Sequence, residues 1–122
     1  MLFRSLDRVE MVIVAEPDHG GALGFGVVAL ATLGETERAK EWAERAILLD
    51  PENINLRYNL ACSMVGLGEL ERAIELLATV FPVTMPQSLR WFETDTSLDP
   101  IRDDPRYKAL VAEATERFAK LL

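Results

Sequence analysis

The chain has 122 residues, 49% hydrophobic and 27% charged, enough for one core-forming domain and too apolar for a disordered tail. Its 13 Lys and Arg against 20 Asp and Glu leave a net charge of −7, which argues against the clustered positive charge of a nucleic-acid surface. A single cysteine, Cys62, and a single histidine, His19, exclude an internal disulfide framework and a zinc site built on several His or Cys ligands.

The N-terminal Met1–Arg8 stretch has no apolar segment followed by a small-residue cleavage site. Phe3, Leu6, Val9, Val12 and Ile13 recur at three- and four-residue spacing, which predicts an amphipathic helix over 3–15. Glu16-Pro17 stops it, because proline disfavours helical geometry in the residue before it. From His19 to Gly34 there is no Asp, Glu, Lys or Arg. This stretch is shorter than a membrane span needs, so it predicts a helix over 20–33 buried on two sides in a cytoplasmic protein. Helices over 36–49, 54–67 and 70–81 follow, with Asp50-Pro51 as the stop between the second and third. Gln87 to Glu93 predicts a short helix. Asp104 as an N-cap and Pro105 at the first helical position open a last helix that runs to Leu121. Leu110, Val111, Ala114, Phe118 and Leu121 give that helix one apolar face, suited to covering the end of the structure.

The chain repeats itself. Leu33-Gly-Glu-Thr-Glu-Arg-Ala-Lys-Glu41 and Leu67-Gly-Glu-Leu-Glu-Arg-Ala-Ile-Glu75 match at seven of nine positions, at an offset of 34. The same offset links Pro17 to Pro51, His19 to Asn53 and Leu30 to Met64. This pattern resembles the tetratricopeptide repeat (TPR). Gly34 and Gly68 match the family's inter-helix turn glycine, and Ala39 and Ala73 match the small residue of its second helix. Ala46 matches a later small residue, which Val80 replaces in the second copy, and Pro51 matches the repeat-ending proline. The second copy lacks a proline at position 85, which Pro82 and Pro86 flank, so the solenoid is expected to change direction after about residue 81.

The resemblance implies an all-α, TPR-type helix-turn-helix solenoid, an alpha-alpha superhelix of about two and a half repeats with a C-terminal capping helix. The whole chain, 1–122, is then one TPR-like domain. It divides into a half repeat (1–17), two repeats (18–51 and 52–85), and an irregular segment with its cap (86–122). A lone second helix at the start implies further chain before Met1. Tyr58-Asn-Leu-Ala-Cys62 and Leu98-Asp-Pro-Ile-Arg-Asp-Asp-Pro-Arg-Tyr107 are similar to a C-terminal pattern in bacterial multidomain signalling proteins. Class III adenylate or guanylate cyclases and some kinases are among them, so the resemblance implies the C-terminal part of such a protein.

In the family, first helices line a concave face. Carried over by position, that groove presents Gly21, Gly24, Phe25, Val28, Ala31 and Thr32, then Asn55, Tyr58, Asn59, Cys62, Val65 and Gly66. A protein or peptide segment is the expected partner, with a homodimer through the half repeat as the alternative. Only Asn59 resembles a residue of the carboxylate clamp used by chaperone-binding members, and Gly24 and Val28 occupy two other clamp positions, so no clamp is expected.

The remaining candidates for chemistry read as structural. His19 stands at a helix start with no nucleophile or orienting partner in local sequence. Cys62 lacks the nearby positive charge that would activate a thiolate. Gly20-Gly-Ala-Leu-Gly-Phe-Gly26 lacks the spacing and the preceding strand of a dinucleotide loop. It fits either a close helix approach or a bare floor under a ligand. The glutamates of the second helices read as a solvated outer face. Trp42 and Trp91 read as packing groups, with Trp91-Phe92 covering the edge of the last repeat. No catalytic constellation, cofactor, metal or membrane insertion is expected.

Overall fold

The computed structural model describes the backbone from Gly20 to Leu121 and side-chain surroundings from Leu23 onward. The expected helix over 3–15, the half repeat 1–17 and His19 lie outside the described residues. Helix α1 spans Gly20–Thr32 and α2 spans Thr36–Leu49. They form one antiparallel pair, and α3 (Ile54–Gly66) with α4 (Leu70–Val80) forms the next. A 3-10 turn, Phe81–Val83, leads to the short α5 (Pro86–Thr94). A second 3-10 segment, Thr96–Ile101, precedes α6 (Pro105–Ala119). The described residues contain no strand, and the fold is the expected all-α solenoid.

The inter-helix turns follow from their glycines. Gly34 and Gly68 have φ of 79° and 80°, the left-handed region in which a side chain is strained. Each closes its helix in the same way. The N–H of Glu35 bonds the carbonyl of Leu30 at 2.9 Å, and that of Gly34 bonds Ala31 at 3.1 Å. Thirty-four residues on, Glu69 bonds Met64 at 2.9 Å and Gly68 bonds Val65 at 3.0 Å. Carbonyls that the helix end would leave bare are thereby satisfied. A Cβ at either glycine meets nothing within 4 Å, so substitution strains only the backbone. Gly34→Ala and Gly68→Ala should therefore each cost about 1–2 kcal/mol. Gly66 is helical and equally uncrowded, so Gly66→Ala should gain about 1 kcal/mol instead. Thermal melts of the three variants check both signs.

Ala39 and Ala73 are fully buried, one repeat apart. A small residue lets the two helices of a pair approach closely. Leucine there would overpack the crossing, so Ala39→Leu or Ala73→Leu should lower stability by about 1–3 kcal/mol. Unshifted thermal midpoints in both would contradict this packing. Gly24 acts similarly between repeats, since a Cβ on it would lie 2.7 Å from Cδ1 of Leu56. One glycine of the run is thus a close helix approach.

Caps set the other boundaries. The Asn53 side chain accepts from the Leu56 N–H at 2.9 Å and donates to Asp50 at 2.9 Å. Asp104 accepts from the Arg106 N–H at 2.8 Å, as its place before Pro105 predicts. Pro82 ends α4, and the carbonyls of the turn that follows find a remote donor. The Arg117 guanidinium of α6 bonds the carbonyls of Phe81 at 3.1 Å and Thr84 at 2.6 Å, and also that of Pro82. The last helix thus covers the end of the second repeat by hydrogen bonds as well as by Leu110, Val111, Ala114 and Phe118, whereas Leu121, expected on that face, lies past the helix end and is exposed.

Candidate functional site

The first helices and the second helices differ sharply in charge. Helix α1 has no Asp, Glu, Lys or Arg, and α3 has only Arg57. Helix α2 carries Glu37, Arg38, Lys40, Glu41, Glu44 and Arg45. These outer charges pair between helices, as in Arg72–Glu44 at 2.7 Å, Lys40–Glu69 at 3.2 Å and Arg106–Glu71 at 2.6 Å. Exposed pairs of this kind each contribute at most about 1 kcal/mol. The glutamates form the solvated outer face that helical spacing predicts.

Between α1 and α3 runs an open groove of about 700 Å³. Gly24, Phe25, Val28, Ala31 and Thr32 line its α1 side. Asn55, Asn59, Cys62, Ser63 and Gly66 line its α3 side, and Ser97 stands at its C-terminal edge. Phe25 is 74% exposed and Val28 50%, which is high for apolar side chains on a helix that buries Leu23, Val27 and Leu30 completely. Gly21 lies in α1, outside the residues whose side-chain surroundings are described.

Two positions carried over from the resemblance face elsewhere. Val65 is buried in the core. Tyr58 is also buried, its ring stacked on Phe92 at 4.3 Å. The cause lies in the segment after the repeats, which folds back on α3 and covers its C-terminal side. Phe81 packs on Phe92 at 5.5 Å and on Tyr107 at 5.8 Å, extending the aromatic cluster into the cap.

A hydrogen-bonded cluster fastens that segment. The Tyr58 hydroxyl donates to a carboxylate oxygen of Asp95, and the Cys62 thiol lies 3.9 Å from the same oxygen. The other Asp95 oxygen accepts the Ser97 N–H at 3.0 Å. Burial and then the bond to Asp95 hold the Tyr58 hydroxyl far above the ordinary tyrosine range. Burial first, and the Asp95 charge second, push the Cys62 thiol up to about 11. A thiol so held is a protonated packing group, not a nucleophile. Burial by itself would raise Asp95, but the donors Tyr58 and Ser97 outweigh it and hold its carboxyl below the usual range. Arg102 completes the anchor by donating to the carbonyls of Phe92 and Asp95 and to the Asp99 carboxylate.

The tail motif and the Tyr58–Cys62 motif, far apart in sequence, are therefore parts of one packed unit. Leu98, Ile101 and Tyr107 are buried against the second repeat that Tyr58 and Cys62 belong to.

A second groove of about 540 Å³ lies beyond α3. Its walls include Val83, Met85 and Trp91, which are 58%, 63% and 62% exposed. Trp91 is thus a surface group, not the packing group that the sequence suggests. Of the pair, it is Phe92 that is buried against the repeat. Trp42 packs as expected, with the Arg38 guanidinium 5.2 Å from its ring. Val83 and Met85 escape sequence reasoning because they sit between the helices, where no period marks a face, and Trp91 because its helix is too short to set one.

Among the described residues no group of three or more His, Cys, Asp or Glu is placed to hold a metal ion, and no helix is long and apolar enough to cross a membrane. Stacked antiparallel helix pairs, a 34-residue period and an uncharged concave face define a helical-repeat protein. Residues 30–88 match the family model of the tetratricopeptide repeat, which supports reading the helix pairs as repeats of that kind. Comparison with curated proteins and with solved structures finds no match.

Proposed function

We propose that this chain is a protein-interaction module whose α1–α3 groove holds a segment of another protein. The carrying observation is the uncharged, partly apolar concave face on a chain of net charge −7. Exposed Phe25 and Val28 have water to lose on binding, which is the dominant gain in association. The tail and Tyr58–Cys62 motifs support a finer reading. In it the module is the cytoplasmic, C-terminal recruiting part of a bacterial signalling protein such as a TPR-containing adenylate cyclase.

Gly66 offers a clean test of the groove. It lines the groove, and a side chain there meets nothing within 4 Å. Gly66→Trp should fill one end of the groove while leaving the fold intact. Immobilised wild-type chain should retain a specific component of source-cell extract, and the Gly66→Trp chain should not. Equal retention by both would refute the groove as the binding surface. An immunoblot of the same extract addresses the finer reading, which requires a band well above 13.6 kDa.

A further inference from the structure

We infer that the binding surface is bipartite and extends past the repeats. It spans the groove between α1 and α3 and the second groove beyond α3, and its occupant is an extended, uncharged peptide segment with an apolar anchor in each and basic residues outside both. This rests on the reading of the first groove as a binding surface.

Asn55 and Asn59 carry the argument. They stand one helical turn apart on α3 and line both grooves, so the two depressions share one ridge. Both are exposed, and neither carboxamide bonds to any of the described residues. A carboxamide offers donors and an acceptor together, the complement of a peptide unit. An α-helix has its backbone groups satisfied internally and gains nothing from that ridge. An extended chain leaves its N–H and C=O groups free to meet it. On either side of the ridge lie exposed apolar groups, Phe25 and Val28 in the first groove, Met85 and Trp91 in the second. Aromatic side chains and Met are the enriched anchors of protein interfaces.

Charge fixes the rest. No Asp, Glu, Lys or Arg lines either groove among the described residues. A charge seated there would lose its hydration without gaining a partner. The chain as a whole is at −7, so basic flanks are attracted and acidic flanks repelled.

The test uses synthetic peptides Lys-Lys-Phe-(Thr)n-Phe-Lys-Lys, with n from one to five, labelled and titrated against the full chain by fluorescence anisotropy. Threonine is β-branched and favours an extended core while keeping every spacer N–H free to meet the carboxamides. Affinity should peak at one spacer length. Replacing either Phe of the best peptide by Ser should weaken it about tenfold or more. Phe25→Ser and Trp91→Ser should each weaken binding to a similar degree, and both residues are exposed enough to leave the melting temperature in place. Asn55→Ala with Asn59→Ala should weaken it further. Loss with Phe25→Ser but none with Trp91→Ser would overturn the bipartite surface while leaving the first groove standing as a binding site. Affinity independent of spacer length, tighter binding of a Glu-flanked peptide, or no binding by any peptide would overturn the proposal too. Failure of the module reading shows separately, as extract retention indifferent to Gly66→Trp.

Discussion

Phe81→Ala should be among the most destabilising truncations of the described core, costing about 3–5 kcal/mol. Phe81 is among the largest side chains that the core buries almost completely, at 1% exposure. Its ring stands between Phe92 of α5 and Tyr107 of α6, so truncation opens a cavity where three elements meet. None of those elements can close the gap freely. Phe92 is held by its stack on Tyr58, and α6 is tied through Arg117 to carbonyls on both sides of the turn that carries Phe81. Phe81→Leu keeps most of the volume and should lose far less. Urea unfolding of both variants distinguishes the two outcomes. Equal losses would mean that the cap, not the ring, sets stability here. The loss should also fall unevenly along the chain. A solenoid is stabilised by neighbour contacts, so hydrogen exchange should speed up over α5 and α6 before α1 and α2.

The repeats and the cap were legible in the sequence to different degrees, for different physical reasons. Gly34, Gly68, Ala39 and Ala73 act locally, in a turn or at one crossing, and a local requirement leaves the same residue type at the same spacing. The N-cap at Asp104 is readable for the same reason. Tyr58 is the contrary case. Its position on the first helix of a repeat puts it in the groove by periodicity, but a segment 37 residues away claims its ring and hydroxyl. No helical period encodes that contact. Trp91 fails in the opposite sense, because its neighbour Phe92 takes the buried place and leaves it at the surface. The charge asymmetry between first and second helices was visible in composition alone. The second groove was not, since half of it is built from a turn and a short helix with no repeat partner to compare.

Asp95→Ala should detach the C-terminal segment from the second repeat, at a cost of about 1–3 kcal/mol. The carboxylate accepts from the Tyr58 hydroxyl and the Ser97 N–H together, so its removal leaves a buried hydroxyl without its acceptor and a 3-10 segment without its cap. Asp95→Asn keeps one acceptor and should cost less. The same cluster predicts a pH dependence on both sides. Asp95 has its carboxyl lowered by folding, so its contribution is present above about pH 4 and is lost as pH falls through the folded value. Cys62 and Tyr58 are raised by folding, so the unfolded chain releases their protons first as pH rises. Stability is then full below about pH 8.5, the ordinary thiol value, and declines as pH climbs toward the folded Cys62 value of about 11. Thermal midpoints measured from pH 8 to 11 should fall in the wild type. Cys62→Ala should remove the part of the decline that begins near pH 8.5 and leave the later part, which belongs to tyrosine. A wild-type midpoint flat to pH 11 would mean that Tyr58 and Cys62 are not held against Asp95 in solution, and the segment that walls the second groove would then lack its anchor.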